Sequence, residues 1–243
     1  MEAIQAKALT KRFGDLVAVN GLDLTVYSGE LFALLGVNGA GKTTSIRILS
    51  GLLTPDSGEA LLCGKSITRE PAQAKAMLGI SPQETAVARN LTVKENLRLM
   101  AGLYGIHGEE RDAKIRRLLS ALELEDVKDR RAAKLSGGYS RRLSIAMALV
   151  SDPKVLFLDE PTLGLDVLAR RALWAFIRSL HGQITIVLTT HSMEEAASLS
   201  DRIGILNKGS LVGAADAETW IKNTGAKDFE DAFVRVVTGG DAE

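Results

Sequence analysis

Residues 36–43 read Gly-Val-Asn-Gly-Ala-Gly-Lys-Thr and follow directly on the apolar run LFALL at 31–35. Behind them an apolar helix is expected from Lys42 through IRILSGLL. A buried strand, a glycine loop and a helix are the setting that Gly-x-x-x-x-Gly-Lys-[Ser/Thr] requires. Gly36, Gly39 and Gly41 let the backbone turn tightly and aim its N–H groups inward. With the first helical turn they form a nest for phosphate oxygens, and a side chain there would fill it. Lys42 brings a point charge to the β and γ phosphates, and the Thr43 hydroxyl is placed for Mg²⁺. The whole run Gly36, Val37, Asn38, Gly39, Ala40, Gly41, Lys42, Thr43 and Thr44 is therefore expected to hold a nucleotide. The blander alternative is a glycine-rich turn that happens to precede a lysine.

A phosphate nest by itself hydrolyses nothing. The segment VLFLDEP at 155–161 is an apolar strand ending in two acids, and a parallel sheet binds ligands at that carboxyl edge. Asp159 is expected as the Mg²⁺ partner and Glu160 as the residue that polarises water; otherwise they are two solvated acids before Pro161. ITIVL (184–188) and IGIL (203–206) are further short apolar runs that read as buried parallel strands, whereas LDLTV (22–26) alternates as a strand with one wet face. Before VLFL lies a segment of helical signals, VKENLRLMAGLYG and EERDAKIRRLLSALELED, with Ile115, Leu118, Leu119 and Leu122 on one helical face. The expected organisation is one α/β domain over 1–243. Its core spans about 1–84 and 151–215, a helical insertion about 85–150, and a short helical tail about 216–243.

Composition narrows the partners. Lys plus Arg and Asp plus Glu both number 30, so nothing global argues for nucleic acid or an anionic membrane. The single cysteine, Cys63, excludes an intramolecular disulfide. No uncharged apolar stretch reaches the roughly 18–20 residues of a spanning helix, so the chain is expected to be soluble by itself.

At LSGGYSRRLSIAMAL (135–149) the sequence resembles the ATP-binding subunit of ATP-binding cassette (ABC) transporters. Other family elements stand in the family's order: Phe13 at the place of the adenine-stacking aromatic, Gln83 at the Q-loop, LSGG as the signature, Asp166 ending the D-loop and His191 as the switch histidine. The resemblance implies a P-loop (RecA-like) core with a parallel central sheet, an N-terminal antiparallel β subdomain and an inserted α-helical subdomain. It implies ATP and Mg²⁺ as ligands, with Gln83 joining Thr43 and Asp159 at the metal, and Glu160, His191 and Gln83 acting in hydrolysis. Phe13 could otherwise belong to the core. Ser136, Gly137 and Gly138 open a second helix and so a second anion nest, which in the family closes on the ATP of a second subunit. Val37 replaces a proline frequent in the family's loop, and Tyr139 replaces the glutamine that commonly ends the signature.

Further expectations follow from the resemblance. They are a homodimer, a separate integral membrane permease docked on the helical insertion, and a peripheral place on the cytoplasmic face of the membrane. The short ending looks more like subunits paired with ABC-2-type permeases, most of which export, and no nucleic-acid partner is expected. The competing class is a soluble cassette ATPase acting on ribosomes or DNA. Those carry tandem cassettes or long coiled coils, and this chain has neither.

Overall fold

The computed structural model describes residues 1–239; the last four residues of the expected tail, 240–243, lie outside them. Strands β1 (Glu2–Phe13) and β2 (Leu16–Tyr27) pair antiparallel. In β2, Leu22, Leu24 and Val26 are buried while Asp23 is exposed, as the alternation in LDLTV requires. After β3 (Leu31–Leu35) and helix α1 (Lys42–Leu49), β4 (Ser57–Leu62) and β5 (Lys65–Ser66) complete a four-stranded antiparallel sheet in the order β2-β1-β4-β5.

The larger sheet is built from β3 with β6 (Leu78–Ser81), β7 (Val155–Asp159), β8 (Thr185–Thr190), β9 (Arg202–Asn207) and β10 (Ser210–Ala215), in the order β10-β9-β3-β8-β7-β6. All neighbours are parallel except β9 and β10. Both faces of this sheet are covered. Leu31, Ala33 and Leu35 of β3 enter one apolar cluster, shared with the helices, while Phe32 and Leu34 enter another, shared with the antiparallel sheet. A strand buried on both faces has no polar positions to alternate, which is why LFALL reads as a continuous apolar run.

Three helices, α3 (Val93–Leu103), α4 (Gly108–Ala121) and α5 (Gly137–Leu149), fill most of the stretch between β6 and β7; a short α2 (Pro71–Lys75) precedes β6. Thr92 and Glu95 close a capping box at the start of α3, satisfying two otherwise orphaned N–H groups. The stripe Ile115, Leu118, Leu119 and Leu122 is buried. Helices α6 (Val167–Ser179) and α7 (Met193–Leu199) follow β7 and β8, and α8 (Ala217–Thr224) and α9 (Phe229–Thr238) make the tail.

Two strands of the large sheet escape the apolar pattern. β10 carries small residues, SLVGAA, on the sheet edge. β6 contains Gly79, where a Cβ would lie 2.1 Å from the carbonyl oxygen of Ala148 in α5; the close helix approach demands a glycine that weakens the strand signal.

Candidate functional site

The loop after β3 and the acids after β7 meet because β3 and β7 both pair with β8, one on each side. Gly39 and Gly41 have φ of 80° and 101°, a region open to glycine. A Cβ on Gly41 would stand 2.3 Å from the Ala18 carbonyl oxygen, and one on Gly36 would stand 2.6 Å from that of Leu206. Gly41 is the N-cap of α1 and brings no side chain to cap it, so the N–H groups of the first turn have no partner within the helix. They face a cavity of about 320 Å³ lined by Asn38, Gly39, Ala40, Gly41, Lys42, Thr43 and Thr44 together with Phe13, Gln83 and Glu160.

Lys42 is almost wholly buried. Its Nζ donates to the carbonyl oxygens of Gly36 (2.7 Å) and Val37 (3.2 Å) and lies 3.4 Å from Glu160 Oε1. The other Glu160 oxygen, Oε2, is 2.7 Å from His191 Nδ1. Asp159 Oδ1 accepts from the Thr43 hydroxyl (3.2 Å) and the Thr189 hydroxyl (2.5 Å). Thr189, between the two acids, also accepts the Glu160 N–H at its hydroxyl (3.0 Å). Glu160 has φ of 48°; a left-handed non-glycine costs about 1–3 kcal/mol and persists only where its surroundings hold it. Here Lys42, His191 and Thr189 do so.

The arrangement fits a phosphate chain with a divalent cation. The nest is one that any Cβ at Gly36 or Gly41 would disturb, and one lysine and several N–H groups surround it. Among the described residues, no group of three or more His, Cys, Asp or Glu could hold a metal alone. One carboxylate and one hydroxyl, Asp159 and Thr43, suit Mg²⁺, which takes a few protein oxygens and fills its sphere with phosphates and water.

Phe13 is half-exposed at the end of β1, with the Lys11 ammonium 5.7 Å from its ring centre; it lies at the cavity and not in the core. Ser136 caps α5 through the Tyr139 N–H (3.4 Å), and Asp166 caps α6 through the Ala169 N–H (2.9 Å). Ser136, Gly137, Gly138, Tyr139 and Asp166 line a different cavity, about 590 Å³, which shares no residue with the first. The Tyr139 ring lies 6.0 Å from the Arg142 guanidinium.

Motif reading passes over Thr189, whose only signal is a hydroxyl in a buried strand, and Arg141. Arg141 is buried, and its two terminal nitrogens donate to the carbonyl oxygens of Pro82 and Gln83, each at 2.6 Å. Burial pushes its guanidinium below the ordinary value, against the opposing pull of the Asp159, Glu160 and Glu195 carboxylates.

The profile of the ABC transporter family matches residues 19–163. The probable multidrug ABC transporter ATP-binding protein YbhF of Escherichia coli is 38% identical over 247 residues, covering 99% of this chain and 42% of that protein. The Nod factor export ATP-binding protein I of Burkholderia lata is 44% identical over 210 residues, 86% of this chain and 69% of that one. The chain thus spans less than half the length of YbhF. A solved dimeric ATP-binding cassette, in a post-hydrolysis state bound to ADP and Pi, superposes with a TM-score of 0.80 at 26% identity, over 88% of this chain and 98% of its own. Matched over most of its length by such sequences and by such a fold, the chain belongs to the ABC transporter family and carries its ATP-binding cassette.

Proposed function

We propose that this chain binds ATP with Mg²⁺, hydrolyses it in a dimer, and thereby drives transport through a separate membrane permease of the ABC-2 type, from the cytoplasmic face of the membrane. The observation that carries the reading is the buried Lys42–Glu160 pair, closed by His191, at the mouth of the glycine nest. In the resting arrangement Lys42 and Glu160 neutralise each other. Arriving phosphates compete for Lys42 and the nest N–H groups, which releases the Glu160 carboxylate to accept a proton from attacking water while His191 donates to the γ-phosphate. Thr43, Asp159 and Gln83 would hold Mg²⁺, whose charge neutralises phosphate oxygens. Phe13 offers a ring to the base without reading its edges.

The cavity at the Ser136–Gly138 nest is edged by two exposed acids, Glu123 and Asp166, and lacks a lysine and a buried acid pair, which supports a role toward the ATP of a second copy, as does the dimeric state of a solved cassette of the same fold. Among the described residues no helix is long and apolar enough to cross a membrane, and the permease in this reading is a separate protein. Export is supported by the likeness to the Nod factor export ATP-binding protein I, and that likeness favours a transporter over a ribosome- or DNA-directed ATPase.

The test mixes two inactive chains. Ser136→Arg is expected to fold and bind ATP but not hydrolyse it, and Lys42→Ala to lose ATP binding. In their heterodimer the intact nest of one faces the intact signature of the other, so activity returns, while dimer formation is followed in parallel with Glu160→Gln as the ATP-trapped reference. Hydrolysis by a stable monomer, independent of protein concentration and indifferent to Ser136→Arg, would overturn the shared site.

A further inference from the structure

Helix α5 opens at the Ser136–Gly138 nest, and farther along a single face it grips the strand and loop that carry Gln83. Arg141 donates to two successive carbonyls, Pro82 and Gln83, at 2.6 Å each. One turn on, the hydroxyls of Ser144 and Ser81 are 2.8 Å apart, both buried. Two turns on, Gly79 admits the Ala148 carbonyl so closely that a Cβ would lie 2.1 Å from its oxygen. Positions 141, 144 and 148 are spaced i, i+3, i+7, the spacing of one helix face.

The loop has a second anchor. Asn96, fully buried in α3, accepts the Ala88 N–H (2.8 Å) and donates to the Ala88 carbonyl (3.1 Å). Between the two anchors, residues 84–87 form neither helix nor strand. Gln83 thus stands at the edge of a short span without regular structure and, among the described residues, is held by hydrogen bond from the α5 side.

Burying a guanidinium is costly, and where packing alone is needed an apolar side chain serves as well or better. Arg141 is one of two buried cations among the described residues, with Lys42. Its planar fork can hold two neighbouring carbonyls at once, which a lysine ammonium on a flexible stem does not do. We propose that Arg141 is a positioning residue: it ties the Gln83 backbone to helix α5, so that the Gln83 side chain stays at the Lys42 cavity and moves with the Ser136–Gly138 end of the same helix. The consequence for turnover rests on the function proposed above; the tie itself does not. In a dimer with shared sites, the tie makes α5 a rigid link between the nucleotide a chain holds and the one it covers.

The experiment compares the full chain with Arg141→Met, Arg141→Lys and Gln83→Ala. Hydrogen exchange over residues 78–88, where the amides of β6 are paired with β7 and that of Ala88 has Asn96 as acceptor, is read in nucleotide-free protein, and kcat and KM for ATP in the hydrolysing assembly. Arg141→Met is expected to speed exchange in that segment at least tenfold and to lower kcat tenfold or more with KM within about twofold. Arg141→Lys should fall between it and the wild type in both. Gln83→Ala should lower kcat similarly while leaving the rest of the segment protected. Wild-type exchange in either Arg141 variant overturns the tie, and Arg141→Lys still decides if Arg141→Met does not fold. Faster exchange with unchanged kcat overturns the positioning role. Absence of hydrolysis in the wild type itself counts against the proposed function, and the exchange result then still decides the tie.

Discussion

The loop before α1 and the turn before α5 both lead into a helix whose first N–H groups have no partner within the helix, only the Tyr139 N–H being capped, by Ser136, yet their glycines are there for opposite reasons. At Gly36 and Gly41 the chain's own backbone forbids a side chain: added Cβ atoms would stand 2.6 Å and 2.3 Å from carbonyl oxygens, and Gly41 is left-handed. At Gly137 nothing lies within 4 Å of an added Cβ, and at Gly138 only Ala169 and Leu165 do, at an ordinary 3.8 Å. Neither has a positive φ. Nothing among the described residues requires glycine at 137 or 138. The chemistry differs likewise: the first nest adjoins buried Lys42, Asp159 and Glu160, the second a cavity edged by Glu123, Arg142 and Asp166. The glycines of the first nest are fixed by this chain's own backbone, whereas those of the second are not, as the shared site proposed above would require.

The sharpest way to break this contrast is at Glu160. Glu160→Gln should lower turnover by about 10²–10⁴, the range of general-base contributions, while calorimetric ATP affinity persists; Lys42→Ala should lose that affinity. Equal loss of affinity in both would erase the division between holding phosphate and activating water. The glycines come next. Gly41→Ala should destabilise the chain by about 3–5 kcal/mol in urea unfolding, from backbone strain and overlap together. Gly137→Ala should leave the free chain within about 1 kcal/mol of wild type, on the stabilising side, because alanine suits a helix better; its effect should show in hydrolysis alone. A large stability loss at Gly137 would mean that the second nest is built internally after all. Phe13→Ala should cost about 1–3 kcal/mol of nucleotide binding, the range for a base stacked on an aromatic ring, with the unfolding midpoint unmoved because the ring is half-exposed. Ser136→Ala removes the cap bond to the Tyr139 N–H and should cost about 1 kcal/mol of stability in the free chain.

The contrast also marks what the sequence could disclose. LFALL, VLFLD and the glycine loop were legible because burial on both faces and tight turning restrict residue type at every position. β6 was not, since Gly79 answers to the Ala148 carbonyl from a helix some seventy positions away, and spacing along the chain carries no trace of that approach. Arg141 was hidden by its company: it stands beside Arg142 in a run of polar residues opening a helix, where nothing in the spacing marks it, and only the position of the Pro82 and Gln83 carbonyls makes it a buried clamp. The left-handed Glu160 is likewise invisible, because glutamate has no preference for that conformation and is held in it by Thr189, Lys42 and His191.

The order β10-β9-β3-β8-β7-β6 places β3 between β8 and β9, which begin at Thr185 and Arg202. During synthesis β3 therefore emerges long before either neighbour exists. At about 5–20 residues per second, the wait from Leu35 to Thr185 is roughly 8–30 s. Through that interval an apolar strand and a glycine loop remain without the sheet that shapes them, so a nascent chain has no means of retaining nucleotide. Messages cut short before the β8 codons would yield aggregation-prone fragments with an intact phosphate-loop sequence and no phosphate site.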